Sequence, residues 1–250
     1  MKKIIYTFLF FLFLAMAIAL EAPTYINDNI SKADNSSTTP KEIGLIVGYK
    51  GVVKAYEADD FRGFTIKDNN TKLFEGYVVK TFTNAEAKIA LIDNSKILLP
   101  EKSSIVFSSN KVDVDNGTVY FKVTKRAEVK GFLVSTKTAT IGVKGTKFAV
   151  MQDNESVNVF CKEGTISVTS IEGEFKRYVE EEIDEYSKYL KQQYEDYTSY
   201  KEKLRKEFIE YVKEIEMGAG KAITISDNKE VRDIEIPKNI DEMFKELDNF

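Results

Sequence analysis

Alternating apolar residues are the feature of this sequence that most restricts its fold. Between residues 43 and 171, apolar side chains fall largely at every second position, as in Val119-x-Phe121-x-Val123 and Ile166-x-Val168. A β-strand places successive side chains on opposite faces, so this period predicts strands with one buried face. No helical pattern separates these segments, and we therefore predict a mainly β region with antiparallel pairing.

Short polar connections separate the predicted strands. Asp93-Asn94-Ser95, Asn116-Gly117 and Lys162-Glu163-Gly164 contain residues that suit tight turns, because asparagine and glycine tolerate a left-handed backbone. We expect each of these connections to close a β-hairpin.

The first residues have the pattern of an export signal. A basic start, Met1-Lys2-Lys3, precedes a largely apolar run from Ile4 to Leu20 that contains the small residues of Ala17-Ile18-Ala19. We expect a signal peptide over residues 1–19, or alternatively an uncleaved membrane anchor, because the run is intermediate in length between the two classes. Either interpretation predicts an exported protein, periplasmic or secreted. Residues 20–41 are rich in polar residues and predict a flexible tether.

Two closely spaced glycines interrupt the strand pattern between Phe132 and Val150, in the segment FLVSTKTATIGVKGTKFAV. Glycines inside a strand pattern indicate a bulge, a corner or a close backbone approach, so we interpret Gly142 and Gly145 as architectural. Together with Thr146 and Phe148, they form a motif that resembles the signature of FecR-type domains, which are extracytoplasmic all-β modules. This resemblance implies an antiparallel β-solenoid or sandwich.

The resemblance extends to both sides of the glycine motif. It includes the glycine-led strand Gly76-Tyr77-Val78-Val79-Lys80-Thr81, and we assign residues 42–173 and 218–236 to one FecR-like β-domain. The named signal transducers of this family resemble a two-sided device with a cytoplasmic segment before a membrane span. Only three residues precede the apolar run in this sequence, so we expect that the chain does not itself relay a signal to a cytoplasmic sigma factor.

The pattern changes between residues 174 and 217. This stretch contains no glycine or proline before its end, and its apolar and tyrosine residues recur at spacings of three and four. We predict a long helical insertion here, either one helix or a helical hairpin, with a coiled-coil-like seam. A short helix is predicted within residues 237–250. The candidate partner-binding residues on the seam of the insertion are Tyr186, Tyr197, Tyr200, Phe208 and Tyr211. The alternative for these tyrosines is packing against the β-domain.

Composition argues against most catalytic chemistry. The sequence has no histidine and one cysteine, Cys161, which excludes Ser-His-Asp and Cys-His catalysis, His-based zinc sites and an internal disulfide. Asp113-x-Asp115-Asn116-Gly117 resembles the start of a calcium loop but lacks the following glutamate, so we predict no metal. We expect no catalytic residue and no cofactor. A carbohydrate-active enzyme that uses two carboxylates is a distant alternative.

Charge and family resemblance together predict a binding protein. The net charge is −4, and no block of basic residues could neutralise phosphates, so we expect no nucleic-acid partner. The predicted function is a non-enzymatic, exported domain that binds a protein or a cell-envelope component, with homo-oligomerisation through the helical insertion as an option. The alternative is a ligand-sensing module that acts with a separate membrane signalling protein. Membrane contact is expected only if the N-terminal segment stays uncleaved.

Overall fold

Nineteen strands and one short helix make up the part of the chain that the structure describes. The structure is a computed structural model that describes residues 40–58, 60–108, 111–124, 132–180 and 207–250. The predicted signal peptide and nearly all of the predicted tether lie outside these residues. Within them, no helix has the length and apolar character needed to span a membrane.

The strands follow one another along the chain through short connections. In chain order the elements are β1 (Glu42–Lys50), β2 (Val53–Tyr56), β3 (Phe64–Thr65), β4 (Thr71–Phe74), β5 (Val78–Thr81), β6 (Glu86–Leu91), β7 (Lys96–Leu99), β8 (Ser104–Ser108), β9 (Lys111–Lys122), β10 (Phe132–Ser135), β11 (Ala139–Val143), β12 (Lys147–Gln152), β13 (Ser156–Glu163), β14 (Thr165–Ser170), β15 (Phe175–Glu180), β16 (Glu207–Val212), β17 (Glu214–Gly218), β18 (Lys221–Ser226), β19 (Glu230–Asp233) and the helix α1 (Ile240–Asp248).

The strands form two sheets that share β9. Sheet 1 has the order β4-β1-β6-β7-β9-β12-β13-β18-β19-β15-β16. Sheet 2 has the order β3-β2-β5-β8-β9-β10-β11-β14-β17. Two pairs are parallel, β9 with β10 and β15 with β19, and the other pairs are antiparallel. The mainly β fold predicted from the alternating pattern is confirmed.

The main hydrophobic core lies between the two sheets. It combines side chains of sheet 1, such as Phe121 and Phe148, with side chains of sheet 2, such as Val134 and Ile141. The Phe121 and Phe148 rings are stacked at 4.8 Å between centroids with an interplanar angle of 10°. Such aromatic pairs add to the stabilisation that apolar burial provides. The two sheets thus pack face to face on one apolar layer, as in a sandwich.

The prediction of a hairpin at Asn116-Gly117 is wrong. Both residues lie inside β9, at the point where this strand passes from sheet 2 to sheet 1. Gly117 has φ +87°, and a Cβ there would lie 2.6 Å from the carbonyl oxygen of Lys102. The buried positions change phase across this corner, from Val112 and Val114 to Val119 and Phe121. The alternation of buried and exposed residues can shift by one position both at an Asn-Gly hairpin and at a bulged corner. The local sequence therefore did not distinguish these two structures.

The other two predicted hairpin turns have different outcomes. Asp93-Asn94-Ser95 connects the paired strands β6 and β7, with Asn94 at φ +62°, and this hairpin prediction is confirmed. Lys162-Glu163-Gly164 instead lies where β13 of sheet 1 is followed by β14 of sheet 2, with Gly164 at φ +84°. The turn residues were correct there, but the predicted pairing of the flanking strands with each other was wrong.

The prediction of a helix across residues 174–217 is wrong at both of its ends. β15, β16 and most of β17 lie there instead, and β15 pairs with β16 in antiparallel register. Phe175 is fully buried in the core, and Ile215 and Met217 are buried while their neighbours Glu214 and Glu216 are exposed. This alternation of buried and exposed residues was not recognised in the sequence, because apolar residues also recur there at every third or fourth position. Residues 181–206 lie outside the described part of the chain.

The helix α1 covers the middle of the outer face of sheet 1. Its buried residues Ile240, Phe244 and Leu247 form a second apolar cluster with sheet residues such as Leu98 and Tyr120. The rings of Tyr120 and Phe244 meet edge to face at 5.4 Å between centroids. The central strands of sheet 1 are therefore apolar on both faces, as strands buried between two layers must be.

Ion pairs surround the apolar contact of α1. The carboxylate of Asp248 receives the Lys122 Nζ at 2.7 Å and the Lys147 Nζ at 2.9 Å, and these hydrogen bonds lower the pKa of Asp248. Glu246 receives the Lys88 Nζ at 2.8 Å, which lowers its pKa as well. Because these pairs are partly exposed, each contributes about 1 kcal/mol or less to stability.

Replacing Phe148 by alanine tests the core between the sheets. We expect Phe148→Ala to lower the free energy of unfolding by about 3–5 kcal/mol, because a buried ring is lost and a cavity is left. The measurement is equilibrium unfolding in urea. Ile92→Ala is the control, since Ile92 is 64% exposed and its loss should change stability by less than about 0.5 kcal/mol. Equal losses in the two variants would contradict the assigned core.

The contribution of Asp248 should depend on pH. Because folding lowers the pKa of Asp248, its stabilisation is complete above the unfolded carboxyl pKa of about 3.9 and disappears as the pH falls through the lower folded value. At pH 7 we expect Asp248→Asn to cost about 1 kcal/mol or less, since the pairs are partly exposed. The loss should be smaller at pH 2 than at pH 7 in urea unfolding, because the carboxylate is progressively protonated as the pH falls. An equal loss at both pH values would show that packing, rather than charge, is responsible.

Candidate binding face

The two sheets differ in what covers their outer faces. On sheet 1, α1 buries the apolar side chains at the centre of the face. On sheet 2, no described element covers the outer face. The centre of this outer face is polar and includes the directly paired residues Thr140 and Thr169. Exposed apolar side chains are instead concentrated at one end, on and around β2 and β5. This end is the candidate functional site.

Three side-chain pairs, with the neighbouring Phe61, form what we call the β2–β5 face. The pairs are Val52 with Phe82, Lys54 with Lys80, and Tyr56 with Val78. The first pair lies one step beyond the strands, where the amide of Phe82 donates to the carbonyl of Val52 at 3.1 Å. Since alternate residues point to the same side of a sheet, the three pairs form three successive rows across the strands. In the order given, we call them the apolar row, the cationic row and the aromatic row. Val52 and Phe82 are 49% and 41% exposed.

The two lysines of the cationic row lie over aromatic rings. The Lys54 Nζ is 5.9 Å from the centroid of Phe82, and the Lys80 Nζ is 5.7 Å from the centroid of Tyr56. Each lysine thus reaches diagonally across the strand pair, away from the other one. Cation–π contacts of this kind stabilise exposed ammonium groups by about 0.5–1 kcal/mol. They hold both charges on the surface of the face.

A cleft of 410 Å³ opens beside the aromatic row. It is lined by Tyr56, Glu57, Ala58, Asp60, Phe61, Gly76, Val78 and Lys80. Phe61 is 97% exposed at its margin. Of the two carboxylates, Glu57 accepts a hydrogen bond from the Tyr77 hydroxyl, and Asp60 accepts one from the backbone amide of Arg62 at 2.9 Å. Burial and the contact with Glu57 raise the pKa of Tyr77. Both carboxylates therefore have local structural partners.

The glycine motif lies far along sheet 2 from this face, at the β11–β12 turn. Gly145 has φ +69°, a conformation that favours glycine, whereas Gly142 lies in β11 with room for a Cβ 3.8 Å from the Ser167 carbonyl oxygen. Phe148 is fully buried, and Thr146 is buried with no hydrogen-bond partner for its Oγ1 in the described part of the chain. The motif thus builds a turn and part of the core.

The described part of the structure does not bring together, on one surface, the residues that were expected to form a partner-binding helix. Tyr186, Tyr197 and Tyr200 lie outside them. Phe208 and Tyr211 lie in the edge strand β16, so they are on a strand rather than on a helix. Tyr211 is 62% exposed there.

The sequence predictions missed the β2–β5 face. Its signal was present as two alternating triplets, Val52-x-Lys54-x-Tyr56 and Val78-x-Lys80-x-Phe82. Each triplet predicts a strand with these side chains on one face, but the sequence does not show that the two strands are neighbours. Their pairing, which places Lys54 opposite Lys80, became visible only in the fold.

Other groups that could perform chemistry are few among the described residues. No cluster of three or more His, Cys, Asp or Glu side chains in these ranges has the geometry to hold a metal ion. Cys161 is buried in β13, and burial raises the pKa of its thiol to about 11. A thiol with so high a pKa is a weak nucleophile at neutral pH.

Fold and site together define a two-sheet β-module with an exposed apolar and cationic face. Residues 77–167 match the family model described as FecR protein, which confirms the resemblance predicted from the glycine motif. The match runs from the start of β5 into β14. A search of curated proteins gave no match to this chain.

Two solved structures are similar to this chain. Both are crystal structures of a candidate anti-sigma factor from Parabacteroides distasonis ATCC 8503, with 16% sequence identity and a TM-score of 0.44. The similarity covers 67% of this chain in both comparisons, and 64% and 63% of the two neighbours. The chain therefore spans slightly less than two thirds of either neighbour.

The two glycines of the motif should differ in their tolerance of alanine. Gly145→Ala should lower the free energy of unfolding by about 1–2 kcal/mol, because an L-residue is strained at its positive φ. Gly142→Ala should be neutral or stabilising by up to about 1 kcal/mol, since its Cβ has room and alanine has less entropy to lose. Urea unfolding of both variants measures this difference. A greater loss for Gly142→Ala would contradict the backbone assignment.

Proposed function

We propose that this protein is an exported, non-enzymatic FecR-like module that binds a protein partner through the β2–β5 face. The observation that carries the proposal is the exposed apolar row of that face, Val52 and Phe82, beside Tyr56 and Phe61 on a sheet surface that no described element covers. The corresponding apolar surface of sheet 1 has its own cover in α1. Aromatic and apolar side chains gathered on one exposed surface are typical of protein-binding sites.

The match to the FecR family model supports a regulatory role for this binding. Residues 77–167 match the FecR family model, and the resemblance implies a module that acts in signalling rather than in catalysis. The lack of histidine and the engaged carboxylates of the cleft agree with this role. Export to the periplasm or the exterior is part of the proposal and rests on the apolar N-terminal run.

A ligand-sensing module is the second candidate function. The cleft of 410 Å³ beside the aromatic row has the size of small-molecule sites, which typically measure about 300–1,000 Å³. Lys80 and Tyr56 would supply its polar contacts, and Val78 and Phe61 its apolar contacts. In this alternative, a bound small molecule would change how the module contacts a separate membrane signalling protein.

Site-specific photo-crosslinking in the cells that produce the protein tests the proposed face. A photoreactive phenylalanine derivative at Val52 or at Phe82 should give crosslinks to a discrete protein, because both side chains would lie inside the interface. The matched control places the same group at Ile92, an exposed apolar residue in the β6–β7 turn.

The outcomes separate the candidate functions. Crosslinks at Val52 and Phe82 but not at Ile92 support protein binding through this face. The same products at all three positions, or none at any, would overturn it. In the latter case, a change in the unfolding temperature of the purified protein on adding small molecules would favour the ligand-sensing alternative.

A further inference from the structure

We propose that the partner of the β2–β5 face presents an extended segment in which an acidic residue lies between two apolar residues, at positions i, i+2 and i+4. The carboxylate would lie between Lys54 and Lys80, and the two apolar side chains would contact the rows on either side. This inference rests on the proposed function, since it specifies the chemistry of the partner for the same face.

The charge of the cationic row is the first argument. Lys54 and Lys80 are directly opposite each other on adjacent antiparallel strands, an arrangement in which like charges repel. Neither lysine forms an ion pair within the described part of the chain, and each Nζ atom lies over an aromatic ring. By contrast, Lys88, Lys122 and Lys147 on the covered sheet all have carboxylate partners.

A carboxylate from outside would relieve this repulsion. The two carboxylates that line the cleft form no ion pair with either lysine, since Glu57 binds Tyr77 and Asp60 binds the amide of Arg62. A carboxylate over the cationic row would attract both ammonium groups, and the flexible lysine side chains would turn from the rings of Phe82 and Tyr56 toward it. The two lysines lie beside the two carboxylates of the cleft, so the face has too little positive charge to bind a nucleic acid. A single carboxylate therefore matches the charge of this face better than a polyphosphate does.

The spacing of the rows is the second argument. Successive rows are two residues apart on β2 and on β5, which corresponds to about 6.6–6.8 Å at the rise of a strand. An extended partner also repeats its side chains every two residues, so its alternate side chains match all three rows. In an α-helix, side chains of one face are separated by about 5.4 Å per turn and would lose this match. The apolar, cationic and aromatic order of the rows then requires an apolar, acidic and apolar order in the partner.

Short synthetic peptides test this assignment on the full-length protein. The probe is acetyl-Phe-Ser-Glu-Ser-Phe-amide, and the comparison peptides carry Gln or Lys in place of Glu. We expect the Glu peptide to bind at least about tenfold more tightly than the Gln peptide, as measured by isothermal titration calorimetry at low salt. The difference should shrink as salt is added. Free acetate is included as a second probe. If acetate bound as tightly as the Glu peptide, the apolar rows would contribute nothing to binding.

Variants of the cationic row provide the specificity test. Lys54→Gln with Lys80→Gln should reduce binding of the Glu peptide to the level of the Gln peptide. Charge reversal with Lys54→Glu and Lys80→Glu should make the Lys peptide the preferred probe. The matched control, Lys144→Gln with Lys221→Gln, removes the same charge from exposed positions elsewhere and should leave binding unchanged. Circular dichroism and urea unfolding verify that each variant is folded.

Several results would overturn the inference. These are equal binding of the Glu and Gln peptides, no binding of any peptide, or an equal loss in the control variant. The photo-crosslinks at Val52 and Phe82 are then decisive for the underlying function. If they persist in the Lys54→Gln, Lys80→Gln protein, the face binds a partner by other chemistry and only this inference fails. If no crosslink forms even in the unaltered chain, the proposed function fails as well.

Discussion

The fold depends on one constraint, which is that the strand β9 belongs to both sheets. Its first half pairs with β8 and β10, and its second half pairs with β7 and β12. Between the halves, Gly117 takes a positive φ in contact with Lys102 and Ser103, where a side chain would not fit. This corner turns the buried side of the strand by one residue, so that Val114 and Phe121 both face the core. The shared strand thereby holds the two sheets on either side of one apolar layer.

The two outer faces of this sandwich have different physical roles. On sheet 1, apolar side chains such as Tyr120 and Phe160 would be exposed to water if α1 did not cover them, and four ion pairs surround this contact. On sheet 2, the outer face is mainly polar and needs no such cover. The exception is the end around β2 and β5, where apolar and cationic rows remain exposed. These exposed rows are the observation on which the proposed partner binding rests, since contiguous exposed apolar surface often marks an interaction site.

Much of the fold could be predicted from residues whose local pattern allows one structure. Ile166-x-Val168 and Val119-x-Phe121 lie in strands as their alternation predicts, and Asp93-Asn94-Ser95 closes the expected hairpin. The errors occurred where one pattern fits two structures. Asn116-Gly117 suits a hairpin and a bulged corner alike, and Glu214-Ile215-Glu216-Met217 alternates within a stretch that also repeats every three or four residues. In both places distant strands decided the outcome, because their ladder hydrogen bonds and the core selected one backbone.

The sequence by itself determined the composition of the core, the strand-forming segments, the absence of histidine chemistry and the match of residues 77–167 to the FecR family model, because each of these is a property of local residues. The tertiary structure decided which strands are neighbours and which faces are covered. It placed Lys54 opposite Lys80 from positions 26 residues apart in the chain, and it placed α1 on sheet 1 rather than on sheet 2. Contacts of this kind follow from strand order, and strand order is set by the burial of the whole apolar layer rather than by any single segment.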